Sequence, residues 1–209
     1  MEIDYRRQMR GIKLKIDVIK ENEIITSKWA GGESRQYFIY PHDSNYAKRN
    51  FLFRVSLAVS NSDEEAEYSD LENYTRHLIM LEGKAHVFHN KHHDIIMNPY
   101  KEIDVFDGGW KSSATGKVTD FNLIISHICK GSMSVISKSC DVEINSTIKN
   151  KKSWLMFFCG IGSALIKLSD TERIEISKGD LLIIEDVEQD NKINIQAENS
   201  KLIKMCVNC

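Results

Sequence analysis

Phe51-Leu52-Phe53-Arg54-Val55-Ser56-Leu57-Ala58-Val59 is written in period two. In an extended chain successive side chains point to opposite faces. Phe51, Phe53, Val55, Leu57 and Val59 therefore fall on one face, and Leu52, Arg54, Ser56 and Ala58 on the other. The first set is apolar and strand-prone, as expected of a strand with one face in a core. The second set places a guanidinium and a hydroxyl among aliphatic neighbours. An arginine on such a face needs an acceptor, which is a carboxylate, backbone carbonyls or a bound anion. Within the chain the candidate partner is Asp120, so a structural ion pair and an anion site both stand as readings.

The same period extends outward. Ile12, Leu14, Ile16 and Val18 alternate with Lys13, Lys15 and Asp17. Short runs rich in Ile, Val and Phe recur at 78–81, 121–128, 154–159, 164–168, 181–184 and 202–207, separated by Gly, Asn, Asp and Ser clusters. These are strand and turn signals. The segment 173–184 reads as a strand, a Gly-Asp turn and a second strand, a way of turning a corner in a jelly roll. No amphipathic helix of three turns is visible, and acidic 62–67 reads as a solvated loop. Many short strands imply an all-β sandwich or barrel. A soft boundary at Lys130-Gly131-Ser132 predicts a first β unit over 1–130 and a second, smaller one over 131–209. The run 154–159 suits either a buried core strand or a sticky face that would make a homodimer.

Composition narrows the function classes. The chain has 209 residues, with 28 Lys and Arg against 30 Asp and Glu, a net charge of −2. It lacks the basic excess of a nucleic-acid binder, so no nucleic-acid partner is expected. Hydrophobic content of 42% and charged content of 28% match a folded globular chain. No run approaches the ~18 apolar residues of a membrane span, so no membrane partner is expected. The N-terminal Met1-Glu2-Ile3-Asp4-Tyr5-Arg6-Arg7 has no signal-peptide core, which predicts a cytoplasmic protein. Of five cysteines, Cys206 and Cys209 form a C-terminal C-x-x-C, read as a frayed tail because nothing completes a metal or redox site. Cys129, Cys140 and Cys159 read as core thiols.

Further segments carry candidate chemistry. Trp29-Ala30-Gly31-Gly32-Glu33-Ser34 reads either as a turn presenting N–H groups and Ser34 to a ligand or as a tight strand connection. Asp120, Asn122, Ile124 and Ser126 share one strand face, which is either a polar ligand wall or a solvent face. His86, His89, His92 and His93 are close in sequence, but His86 and His89 lie on opposite strand faces. Asn90-Lys91 reads as a hairpin turn, and the cluster as an exposed His-rich turn rather than a metal site. No nucleophile elbow, phosphate loop or dinucleotide fingerprint occurs, so no catalytic residue, metal or cofactor is assigned.

Several of these segments together resemble the HutD/Ves family of bicupins. Trp29-Ala30-Gly31-Gly32-Glu33-Ser34 is similar to its Trp-x-Gly-Gly-x-Thr/Ser, followed by Tyr40-Pro41. Phe53-Arg54-Val55-Ser56-Leu57-Ala58 resembles its aromatic-Arg-aliphatic-Ser-x-Ala strand. Tyr68-Ser69-Asp70-Leu71, Tyr74-Thr75-Arg76 and Leu81-Glu82-Gly83 follow in order, then Phe106-Asp107-Gly108 with Trp110, then Asp120-Phe121-Asn122-Leu123. The resemblance covers residues 24–128; beyond them only the strand pattern agrees. Gln36 stands where the family often has Glu, Gly109 where it usually has Asp, and Asn73 where Gly is common. The resemblance implies an all-β fold of two fused cupin-like jelly-roll barrels in one body, without the usual metal histidines. It implies a metal-independent, regulatory small-molecule binder linked to histidine utilisation. In that reading Arg54 or Arg76 holds a carboxylate, Trp29 is an apolar wall, and Asp120 and Asn122 orient polar groups. Gly31, Gly32, Ser34 and Ser56 complete the expected site. The ligand is then a small carboxylate or amino-acid derivative such as formiminoglutamate. The alternative is a metal-dependent cupin enzyme, an isomerase or dioxygenase using His86 or His89.

Overall fold

The computed structural model describes residues 7–9, 12–29, 31–143, 152–186 and 192–209. In the N-terminal half the strands are β1 (Arg7–Met9), β2 (Ile12–Ile19), β3 (Thr26–Trp29), β4 (Gly32–Tyr40), β5 (Phe53–Ser60), β6 (Ala66–Glu67), β7 (Tyr74–Glu82), β8 (Ala85–His89), β9 (Asp94–Met97) and β10 (Ile103–Asp107). Then follow β11 (Ser112–Thr115), β12 (Val118–Ser126), β13 (Lys130–Ile136), β14 (Cys140–Glu143), β15 (Ser153–Ile161), β16 (Ser163–Lys167), β17 (Arg173–Ser177), β18 (Leu181–Glu185), β19 (Lys192–Gln196) and β20 (Lys201–Asn208). Among the described residues the helical content is two single 3₁₀ turns, Glu21–Glu23 and Tyr46–Lys48. The fold is the expected all-β bicupin.

The chain divides into two compact units, Ile24–Lys130 and Met1–Glu23 with Gly131–Cys209. They are of near-equal size, so the expected contiguous split into 1–130 and a smaller 131–209 is corrected at the N-terminus. The physical reason is strand pairing: β2 runs antiparallel to β18, with Ile16 opposite Ile184 and Val18 opposite Leu182. The backbone of β2 is paired by a strand more than 160 residues away, and Ile16 joins the core of that unit.

The unit Ile24–Lys130 is built from a six-stranded sheet ordered β10-β7-β12-β5-β4-β3 and a four-stranded sheet ordered β6-β11-β8-β9. Leu78, Met80, Phe106 and Val118 of the larger sheet pack against Ala85, Val87 and Met97 of the smaller one. A second cluster joins Ile39, Phe51, Leu71, Tyr74 and Ile124. Both faces of β5 are buried: Phe53 and Val55 are fully enclosed, and Arg54 and Ser56 are only 8% and 3% exposed. The Arg54 face looks into the space between the two sheets, where Arg54, Ser56 and Ala58 line a cavity.

The other unit repeats the plan, with sheets ordered β1-β2-β18-β15-β20-β13 and β14-β19-β16-β17. Its core gathers Phe157, Ile166, Ile176, Leu182, Ile184, Ile195 and Leu202. β17 and β18 belong to different sheets, so the turn at Lys178-Gly179, with Gly179 at φ +89°, is the expected jelly-roll corner. Residues 154–159 are buried throughout in the centre of a sheet, which supports the core-strand reading over a sticky dimer face. The C-terminus is not frayed: β20 pairs with β15 from Lys201 to Asn208, and Val207 is fully buried. Cys140, Cys159 and Cys206 are free thiols, whereas Cys129, expected as one, is disulfide-bonded. No helix among the described residues is long and apolar enough to cross a membrane.

Candidate functional site

The cavity of the unit Ile24–Lys130 has a volume of about 400 Å³. Its floor is the larger sheet. β5 contributes Arg54, Ser56 and Ala58, β7 contributes Arg76, and β12 contributes Asp120, Asn122 and Ile124. The register sets these neighbours: Asn122 lies opposite Ser56, and Ile124 lies opposite both Arg54 and Arg76. Period-two alternation on three adjacent strands thus delivers every polar side chain to one face. Ser34 of β4 and Trp29 and Lys28 of β3 line one side, and Ala66, Glu67 and Ala114 of the smaller sheet line the other.

Arg54 donates from Nε to Gln36 Oε1 at 2.9 Å and from Nη1 to Ser56 Oγ at 2.7 Å. Its guanidinium carbon lies 4.4 Å from the Tyr46 ring centre. Arg76 donates from Nη2 to Asn122 Oδ1 at 3.0 Å and stacks on Tyr68, 4.5 Å from the ring centre. The Arg76 Nε is buried and has no hydrogen-bond partner. Among the described residues, no carboxylate lies within ion-pair distance of either guanidinium.

The expected pairing of Arg54 with Asp120 is therefore corrected. Asp120 pairs across the sheet with Ala58, four positions along β5 from Arg54. Its carboxylate accepts a short hydrogen bond from Asn122 Nδ2. Burial pushes the Asp120 carboxyl up to about 7, against the opposing pull of Arg76 and Asn122. Burial also lowers the Arg54 guanidinium to about 10; Tyr46 opposes this shift, while Arg76 and Arg49 add to it. For Tyr46, burial acts upward, but the Ser69 hydrogen bond and Arg76, Arg49 and Arg54 bring it below its ordinary value. Tyr68 is raised, chiefly by burial.

Trp29, Ser34, Arg54, Ser56, Arg76, Asp120 and Asn122 come together on this cavity. Gly31 and Gly32 are not on its lining. Gly32 closes the β3–β4 hairpin opposite Trp29, and a Cβ there would stand 1.8 Å from the Val59 carbonyl oxygen. A Cβ on Gly31 would strike the Trp29 ring at 2.1 Å. The paired glycines are thus a tight strand connection that seats Trp29. Gln36, Tyr46 and Tyr68 were not singled out for the site. Tyr46 sits on a 3₁₀ turn capped by Asn45, whose side chain accepts from Ala47 N at 2.8 Å, and no strand pattern points to it.

The histidine cluster also takes a form the sequence did not suggest. The hairpin at Asn90-Lys91 is present, with Lys91 at φ +65°, and it folds His93 back beside His89. His89 is buried, not part of an exposed turn; its Nδ1 lies 2.7 Å from Ser112 Oγ and its Nε2 lies 2.7 Å from Asp104 Oδ2. His93 Nε2 is 3.1 Å from Asp104 Oδ1. Asp104 on β10 carried no sequence signal for this role. None of these residues lines the cavity.

Comparison with known proteins places the chain. A conserved protein of unknown function from Pseudomonas aeruginosa PAO1, PA5104, superposes with a TM-score of 0.79 at 16% identity, covering 92% of this chain and 98% of that one. HutD from Pseudomonas fluorescens SBW25 superposes with a TM-score of 0.71 at 17% identity, covering 91% and 97%. A cupin 2 conserved barrel domain protein from Leptotrichia buccalis gives a TM-score of 0.53 at 12% identity, covering 91% and 95%. Likeness at such identities speaks for the fold alone. No curated protein matches the sequence. The HutD family profile matches residues 21–203, and the chain accordingly belongs to the HutD family.

Proposed function

We propose that the cavity between the sheets of the unit Ile24–Lys130 binds a small carboxylate-bearing molecule, without a metal, in a regulatory role linked to histidine utilisation. One observation carries this reading: two buried guanidiniums, Arg54 and Arg76, face a 400 Å³ cavity with only neutral acceptors on them. A buried cation without a counter-charge is costly, and an anion in the cavity removes that cost. The volume is within the range of small-ligand sites. Trp29 forms the apolar wall at the mouth. Asp120, poised near neutrality, and Asn122 meet the polar end of the ligand, which suits an amino-acid derivative such as formiminoglutamate. The histidine-utilisation link rests on the family alone.

Calorimetry with histidine, urocanate and formiminoglutamate tests the reading. One of them is expected to bind, and chelator-treated protein is expected to bind it equally well. Arg54→Met, checked for fold by circular dichroism, is expected to lose the heat of binding. Absence of heat with every histidine-pathway intermediate sinks the specific version. A variant that unfolds instead assigns Arg54 to holding the barrel together and removes its ligand role.

A further inference from the structure

We propose that His89, His93 and Asp104 form a binding site for a divalent first-row transition-metal ion of the zinc type, separate from the cavity. The ligand atoms of these residues lie within 4.8 Å of one another. Imidazole nitrogens with one carboxylate are a donor set suited to zinc and its neighbours.

The hydrogen bonds around His89 suit a ligating ring. Nε2 faces the Asp104 carboxylate at 2.7 Å, and Nδ1 lies 2.7 Å from Ser112 Oγ. With an ion on Nε2 the hydrogen of the ring sits on Nδ1 and the Ser112 oxygen accepts it, while the Ser112 hydroxyl donates to the Trp110 carbonyl at 3.1 Å. Asp104 is 4% exposed, and its ion-pair partners are His89 and His93, with no lysine or arginine among them. Anchoring a ligating imidazole through its far nitrogen is the arrangement that fixes ring orientation at metal centres.

The geometry needs little change. Zinc holds nitrogen and oxygen ligands at about 2.0–2.1 Å, which sets tetrahedral ligand atoms about 3.3 Å apart. The observed separations, 2.7 Å to one Asp104 oxygen and 3.1 Å to the other, must open by about 0.6 and 0.2 Å. His89 and Asp104 stand on strands β8 and β10, while His93 lies in the turn with its side chain 41% exposed. The movable ligand is thus the solvent-facing one, which provides an entry path and leaves a fourth position for water.

The test is titration of the full-length, chelator-treated protein with Co²⁺ followed by Zn²⁺ competition. One equivalent of Co²⁺ with visible bands of low-symmetry coordination, displaced by Zn²⁺, is expected. His93→Ala, which alters a half-exposed turn residue and keeps the fold, is expected to weaken binding on the order of 100-fold, and Ser112→Ala about 10-fold. Asp104→Asn is expected to abolish the bands, and His92→Ala to leave them unchanged. The proposal is overturned if wild-type protein takes up less than one equivalent. It is equally overturned if His93→Ala binds as tightly as wild type, or if His92→Ala removes the signal.

Discussion

Gln36 is a neutral partner of the Arg54 guanidinium. Its amide oxygen accepts from Arg54 Nε at 2.9 Å but brings no negative charge. A carboxylate there would pair with the guanidinium and compete with an anionic ligand. Gln36→Glu is therefore expected to leave a folded protein and weaken ligand affinity at least about tenfold by calorimetry, a loss of roughly 1.4 kcal/mol. Asp120 adds a pH dependence. Its folded-state value of about 7 lies above its ordinary 3.8, so the folded protein holds a proton that the unfolded chain releases. The stability this contributes is complete below about pH 4, is lost as pH rises through about 7, and amounts to roughly 2–4 kcal/mol. Urea midpoints are expected to fall across that window, and Asp120→Asn is expected to flatten the slope; an unchanged slope would assign the titration elsewhere. Ligand affinity is expected to fall over the same range, since the ionised carboxylate adds negative charge to the site.

Strands bring these residues together, and their fit is tight. β3 reaches the larger sheet only because Gly32 lets β4 pass the Val59 carbonyl, where a Cβ would be 1.8 Å away. Gly32→Ala is expected to cost about 1–3 kcal/mol as a drop in urea midpoint. It should weaken ligand binding as well, because Trp29 rides on the displaced hairpin. Asn73 shows the complementary case: it adopts φ +69°, a conformation asparagine accepts at low cost. At the other end of the chain, β20 lies between β15 and β13 in its sheet. Truncation before Leu202 is expected to unfold the unit that contains it, read as loss of strand signal in far-UV circular dichroism. A truncated protein with a native spectrum would contradict the pairing.

Over the whole molecule, two units of similar plan are woven from one chain out of order. Strands β1 and β2 complete a sheet whose other four strands lie after residue 129. Removing residues 1–20 is expected to leave the β18 edge unpaired and raise amide exchange at residues 181–185, while β5, β7 and β12 keep their protection. Equal exchange in both units would show that the pairing contributes little.

Period-two patterning determined much by itself. The expected strands at 12–18, 51–59, 78–81, 121–128, 154–159 and 202–207 all correspond to strands, with edges shifted by a few residues and Ile128 left exposed beyond β12. The polar residues Arg54, Ser56, Asp120 and Asn122 were legible because alternation puts each on one face of its strand. Which face looked inward was not legible, since both faces of β5 are buried and sequence alone cannot say what covers them. Pairings across long sequence separations were hidden for the same reason: β2 with β18, and Asp104 with His89. Local periodicity fixes the direction of a side chain along its own strand. The partner it meets is chosen by register and by packing between sheets, which only the tertiary structure decides.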